Sequence, residues 1–315
     1  MITRIETPTP FAVGSVNCHL IKQDALSIVD VGTKTPEALE AIEFGLKENG
    51  YTFNDIEQVI LTHHHPDHIG WTDAFPNAQI LGHVYNDAWL RRDPTFIDSH
   101  YDFYMKNLIE EGVPEKYRGW PKRMTRRPDM MGTRPLNTIL KEGDAIPGHP
   151  GLVAIETLGH AQSHLAYWHE ESGQLLGGDL LIAKTVSNPL IEPPLVPNEE
   201  RAKSLLQYNA SLKKVLDLPV QVVHSGHGDA IYNAHELIEE RLATQHRRAM
   251  KVLQSIAASG PFSVFEISQM IFPKKYESEL GLTLSHTIGQ LDYLVSLGHV
   301  TETMGKEGIL MYAAK

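Results

Sequence analysis

Four histidines and an aspartate fall within six consecutive positions, His63-His64-His65-Pro66-Asp67-His68, just before Ile69-Gly70. Imidazole suits zinc and iron, and a carboxylate adds the negative charge that stabilises a second cation nearby. In an extended loop His63 and His65 point the same way, because side chains alternate. Pro66 suits the first turn of a helix, so Asp67 and His68 should project from that helix start toward a neighbouring position. One short segment thus offers two ligands to one site and two to another. The run is internal and broken by Pro and Asp, unlike a tag or a chance polyhistidine loop.

Three later segments repeat one grammar: an apolar β run, one or more glycines, then a single metal-competent side chain. They are Gly159-His160 after Leu152–Glu156, Gly177-Gly178-Asp179 after Leu175-Leu176, and Gly226-His227-Gly228 after Val220–His224. Two divalent ions sharing a water lower its pKa from ~15.7 toward neutrality, which gives hydroxide at pH 7 to attack a carbonyl or a phosphorus. Asp67 is placed to orient that nucleophile or to carry a proton to the leaving group. No Gly-x-Ser-x-Gly elbow is present to supply a serine nucleophile. There is no Walker-type or dinucleotide-type glycine loop either.

These residues must be positioned by an alternation of strands and helices. The N-terminus, Ile2 to Glu6, reads as a strand, and Ser27–Val31 as a second that turns at Gly32. Thr35 caps a helix with Pro36 in its first turn, and Asn49-Gly50 closes it. The apolar residues Leu39, Ile42, Phe44 and Leu46 fit one helical face imperfectly. Ile56–Leu61 suits a buried strand leading directly into the histidines. From 86 to 134 the character changes to a helical insertion, with helices over Tyr85–Arg92 and Phe103–Glu110. Its basic residues Arg91, Arg92, Lys122, Arg123, Arg126 and Arg127 either face an anionic substrate or form a solvated charged face. Strands return at 152–156 and 165–168, and the four prolines between Pro189 and Pro197 mark a loop.

Beyond Ala234 the pattern changes again. Leu242, Met250, Leu253 and Ile256 form a helical stripe ended by Gly260-Pro261. Ser263-Val264-Phe265-Glu266 has capping-box spacing. Leu282–Leu297 reads as a third helix, and 300–303 with 309–312 as a hairpin. Three helices followed by a hairpin is a winged-helix arrangement.

The 315-residue chain has a net charge of -11, which argues against a broad electrostatic grip on nucleic acid. Its single cysteine, Cys18, allows neither an intrachain disulfide nor a thiolate cage, so a metal must be held by His, Asp or Glu. No run approaches the ~18 apolar residues of a membrane span, and the first residues lack a secretion signal. A cytoplasmic protein without membrane attachment is the expectation.

The series His-x-His-x-Asp-His, Gly-His, Gly-Asp, Gly-His-Gly over residues 1–235 resembles the metallo-β-lactamase superfamily, its glyoxalase II-like and lactamase-β-2-like branches in particular. The resemblance implies an αββα sandwich of the α/β class, with the helical insertion over one end and a winged-helix unit at 236–315. It implies His63, His65 and His160 on a first metal, Asp67, His68 and His227 on a second, and Asp179 bridging them. Asp30 resembles the family's aspartate that orients ligands by hydrogen bonds, and reads equally as a turn residue. His64 is expected to point away from the site. His164 and His224 are candidates to support a ligand or contact substrate, and His83, His149, His169, His246 and His286 belong to surface or core. Zinc β-lactamases place a cysteine on the second metal, whereas Asp179 stands here, so antibiotic hydrolysis is not expected. Relatives also often carry proline where Ser225 precedes Gly-His-Gly. The expected activity is hydrolysis of a small-molecule ester, thioester or lactone with two divalent ions, zinc first and iron or manganese as alternatives. A phosphodiesterase or endoribonuclease, and a mononuclear iron oxidoreductase, are the competing readings. The acidic balance favours packing or homodimerisation for the C-terminal unit over nucleic-acid binding.

Overall fold

Residues 2–119, 121, 127–197, 199–257 and 259–315 are described by a computed structural model of the chain. Strands β1 (Ile2–Thr7), β2 (Val16–Lys22), β3 (Leu26–Val29), β4 (Gln58–Ile60), β5 (Gln79–Gly82) and β6 (Thr138–Ile139) form one sheet in sequential order. Its first three strands are antiparallel and β3 to β6 are parallel. Strands β7 (Leu152–Glu156), β8 (Leu165–His169), β9 (Gln174–Gly178) and β10 (Val222–Ser225) form a second, with β10 parallel to β9.

The two-residue period of a strand sorts side chains into layers. Val29, Ile60 and Leu81 point inward to meet Ala154, Leu165, Tyr167 and Leu176 of the second sheet. Their neighbours Ile28, Val59 and Ile80 point outward and are covered by Ile42 and Leu46 of helix α1 (Pro36–Glu48). Ala166, Trp168, Leu175 and Val223 on the other outer face are covered by helix α5 (Ser204–Leu216) and the start of α6 (Ala234–Ile256). The order is helix, sheet, sheet, helix. The imperfect face of α1 resolves here: Ala38, Ile42 and Leu46 are its buried stripe, and Phe44 is exposed. Thr35 caps it through Ala38 N, as expected.

A four-residue helix, α2 (Pro66–Ile69), carries Asp67 and His68. Between β5 and β6 come helices α3 (Val84–Arg91) and α4 (Pro94–Glu110). The latter begins nine residues before the expected Phe103, because Asp93 accepts hydrogen bonds from Thr95 N and Phe96 N and Pro94 opens the first turn. Lys122, Arg123 and Arg126 lie outside the described residues, and Arg127 begins a short 3-10 turn.

After β10, helices α6, α7 (Val264–Ile271) and α8 (Leu280–Ser296) pack with a three-stranded antiparallel sheet of β11 (Phe262–Ser263), β12 (Val300–Met304) and β13 (Leu310–Ala314). The capping box forms as expected, with Ser263 and Glu266 bonded reciprocally. Helix α6 belongs to two cores: Ile238 packs under the second sheet, and Ala249, Val252 and Ile256 pack among the C-terminal elements. Leu108 of α4, Val113 just beyond that helix and Ile191 of the proline-rich segment join that second core.

Candidate metal centre

Every residue of the expected ligand set lies at one end of the two sheets, in a segment leaving a strand. His63 and His65 follow β4, His160 lies between β7 and β8, Asp179 follows β9, and His227 follows β10. The two sheets are tied together here by Leu165 N donating to Thr62 O and by Tyr167 Oη donating to Leu61 O, at 2.8 and 2.6 Å.

Two triads face each other. In the first, His65 Nδ1 lies 3.0 Å from His63 Nε2 and 3.0 Å from His160 Nε2. In the second, Asp67 Oδ2 lies 3.4 Å from His227 Nε2 and 4.0 Å from His68 Nε2. Asp179 stands between them, with Oδ2 at 3.5 Å from His160 Nε2 and 3.4 Å from His227 Nε2, and Oδ1 at 3.5 Å from His68 Nε2. All seven side chains are buried.

The backbone explains the approach. Gly159, at φ 122°, turns the chain where a Cβ would meet the Tyr208 backbone at 2.3 Å. Gly226 leaves room beside the ligands, since a Cβ there would lie 2.3 Å from Asp179 Oδ1 and 2.9 Å from His68 Cε1.

The outer edges of the rings fix their inner edges. His160 Nδ1 donates to Asn188 O at 2.9 Å, and His227 Nδ1 donates to Ser15 O at 2.7 Å. His68 Nδ1 donates to the Asp30 carboxylate at 2.7 Å. Carbonyls and carboxylates only accept, so the proton of each neutral ring sits outside and the Nε2 lone pair points inward. His68 Nε2, His227 Nε2 and Asp179 Oδ1 are buried and make no hydrogen bond among the described residues. Leaving such groups unsatisfied costs about 1–3 kcal/mol each. A cation at each triad satisfies these atoms, and the all-nitrogen and carboxylate donors suit a borderline divalent metal.

Charge separates the triads. Burial pushes His63 well below its ordinary range and His160 down to about 4, so these two rings are neutral. Burial also disfavours charge on His68 and His227, but Asp179 and the neighbouring carboxylates outweigh it, raising His68 well above its ordinary value and His227 to about 10. The second triad therefore carries protons that a cation would displace.

The supporting residues include several expected from the sequence. Asp30, at φ 60°, also accepts from Thr62 N and Thr62 Oγ1 at 2.8 and 2.7 Å. His164 accepts from Asp179 N through Nε2 at 3.0 Å and bonds Thr157 through Nδ1, so it holds the Asp179 backbone. Ser225, where relatives often carry proline, accepts from His227 N at 3.3 Å and donates to Leu181 O at 2.8 Å. His224 is directed elsewhere, to Gln174 at 2.9 Å. His64 points away from the two triads, as expected, but is fully engaged: its Nδ1 meets Ser163 Oγ at 2.8 Å and its Nε2 meets Glu192 Oε1 at 3.0 Å. Sequence reasoning missed Glu192 and Ser163, because nothing in the local spacing ties a proline-loop glutamate to His64.

The metallo-β-lactamase superfamily model matches residues 12–227. The chain is 39% identical over 294 residues to the probable metallo-hydrolase YqjP of Bacillus subtilis, covering 93% of this chain and 92% of that one. It is 24% identical to the thioesterase pkgB of Emericella nidulans, over 79% of this chain and 56% of that protein. Among solved structures, the metallo-β-lactamase family protein TTHA1429 from Thermus thermophilus aligns with a TM-score of 0.79 and 27% identity, covering 100% of this chain and 98% of that one. The match runs through the segments that bring the seven ligands together, and the chain belongs to the metallo-β-lactamase superfamily.

Proposed function

We propose that the chain is a dinuclear metal-dependent hydrolase, with zinc as the first choice of metal, acting on a small-molecule ester, thioester or lactone. The observation that carries this is Asp179, whose oxygens lie 3.4–3.5 Å from ring nitrogens of both triads. In this reading His63, His65 and His160 hold one ion, Asp67, His68 and His227 hold the other, and Asp179 serves both.

Two ions so held supply a water of lowered pKa and polarise the substrate oxygen. The chain's own part is orientation and proton handling. Asp30, Asn188 O and Ser15 O lock three of the rings. Burial pushes the Asp67 carboxyl upward, but His68 and His227 outweigh it and hold it below the usual range. An ionised Asp67 in the second triad, 3.4 Å from His227 Nε2, is the group to accept the nucleophile's proton and return it to the leaving group.

Three observations favour an acyl substrate over a phosphodiester. Arg91 is paired with Asp87 at 2.6 Å and Arg92 donates to Met131 O at 3.2 Å, so these two cations are spent within their own segment. Loops that bear or support the ligands expose the apolar side chains Val13, Leu195, Val196 and Tyr232. The similarity to a thioesterase points the same way. We read the C-terminal elements as a winged helix with a packing role, because α8 contains no lysine or arginine to meet a phosphate backbone.

Elemental analysis of the purified protein and of His68→Ala, with a panel of thioesters, esters and lactones, tests the reading. About two zinc ions per chain, falling toward one in the variant, with turnover of an acyl substrate, is the expected result. A single iron with oxygen consumption, or cleavage of RNA alone, overturns it.

A further inference from the structure

The first triad contains one ring of opposite tautomer. His63 and His160 face the centre with Nε2, whereas His65 faces it with Nδ1 at 3.0 Å from both. Its proton must therefore sit on Nε2, on the far edge of the ring. Glu192 Oε1 lies 3.6 Å from His65 Nε2, beyond hydrogen-bond length but near enough for its charge to favour a proton on that edge. We propose that Glu192 is the positioning residue of the first metal site, holding His65 in the tautomer that presents Nδ1 inward. The proposal rests on the dinuclear reading above and adds a residue to it.

Glu192 is itself fixed from several sides. Its Oε1 accepts from His64 Nε2 at 3.0 Å, and its Oε2 accepts from Gln162 N at 2.7 Å. Ser163 Oγ lies 2.8 Å from His64 Nδ1, so both ring nitrogens of His64 are engaged, and the ring stacks on Trp89 within 5° of parallel. The strap carrying Glu192 is pinned residue by residue. Ser204 Oγ donates to Leu190 O, Ile191 N donates to Ser285 Oγ of α8, and the hydroxyls of Tyr104 and Tyr85 donate to Ile191 O and Pro193 O. Asn188 O, on the same strap, accepts from His160. One irregular segment thus orients two rings of the first triad, and α8 and the helices α3 and α4 hold that segment. A carboxylate behind a metal-bound histidine sets its tautomer and raises its basicity, and its loss typically weakens metal binding about 10–100-fold.

The test is chelator-competition titration of zinc, and of cobalt followed by its visible absorption, on wild type, Glu192→Gln and Glu192→Ala, with apo-protein melting alongside. The expected result is about 10–100-fold weaker binding of one metal equivalent and a changed cobalt spectrum, the other equivalent being retained. Glu192→Gln should melt within a few degrees of wild type. Wild-type affinities for both equivalents in both variants overturn the proposal. So does equal loss of both equivalents together with a collapsed melting temperature, which marks a structural tether, and so does a third equivalent in wild type that both variants lose, which makes Glu192 a ligand. A wild type that takes up no metal sinks the dinuclear reading instead, and Glu192's role falls with it.

Discussion

Asp30 Oδ2 lies 2.7 Å from His68 Nδ1, and the same carboxylate accepts the Thr62 backbone and hydroxyl, so one side chain aligns the second triad with the end of β4. The left-handed backbone of Asp30, at φ 60°, brings the carboxylate beneath the histidine segment. Asparagine tolerates that conformation, which makes Asp30→Asn a test of the carboxylate rather than of the turn. An amide must turn a donor toward either His68 or Thr62. Metal titration of Asp30→Asn should show one equivalent weakened about 10–100-fold and the other unchanged. Unchanged binding of both equivalents speaks against the orienting role.

Gly226 offers a separate test of how tightly Asp179 is held. A methyl group there falls 2.3 Å from Asp179 Oδ1, so Gly226→Ala must displace the carboxylate between the triads. Overpacking of this kind costs about 1–3 kcal/mol, less than most folds can bear. The folded variant should lose turnover by at least about 10-fold, with metal stoichiometry falling toward one. A variant with wild-type turnover would show that Asp179 has room to spare.

The ligands are legible in the sequence because each lies within a few residues of a strand end, and a strand run followed by glycine is visible in one dimension. Asp30 is readable for the same reason. Glu192 is not: it meets His64 and Gln162 only because the proline-rich strap folds back across α3 and α4, a relation that no local spacing encodes. The first half of α4 is hidden differently. Its buried residues Phe96, His100, Tyr104 and Leu108 recur every four positions, but a histidine and a tyrosine in that stripe mask the apolar period. Expectation also stops short for α6, where one helix serves two cores without a break in its sequence pattern.

Glu111 gives the fold a pH dependence independent of the metals. Burial raises its carboxyl from the ordinary 4.5 to about 8, despite the nearby Arg201. Its folded pKa exceeds its unfolded one, so the folded chain binds more protons between those values and stability falls as pH rises through them. The stability it contributes is complete below about 4.5 and is lost as pH rises through about 8. At ~1.4 kcal/mol per unit the effect amounts to a few kcal/mol. Glu111→Gln should flatten the decline in denaturant midpoint between pH 5 and 8 (about the window of the shift) and stabilise the protein at its upper end. A slope equal to that of wild type removes Glu111 as its cause.

Arg201 and Asp292 tie the end of the strap to α8 by a two-pronged pair, at 2.7 and 3.0 Å. The aspartate is almost wholly buried and the arginine mostly so. Removing one partner strands a buried charge, which costs about 3–5 kcal/mol, whereas replacing both with apolar side chains of similar volume is often close to neutral. Asp292→Leu alone should therefore lower stability sharply, and the double variant Arg201→Met with Asp292→Leu should recover most of the loss. A strap loosened in the single variant also frees Leu190 and Ile191, whose backbones are bonded to Ser204 and Ser285. Metal titration of the single variant should then show the first equivalent weakened, and the double variant should restore it. Additive stability losses across the cycle would mean that the pair is not coupled. Full recovery of stability without recovery of the first metal would instead assign the strap's geometry to the charges themselves.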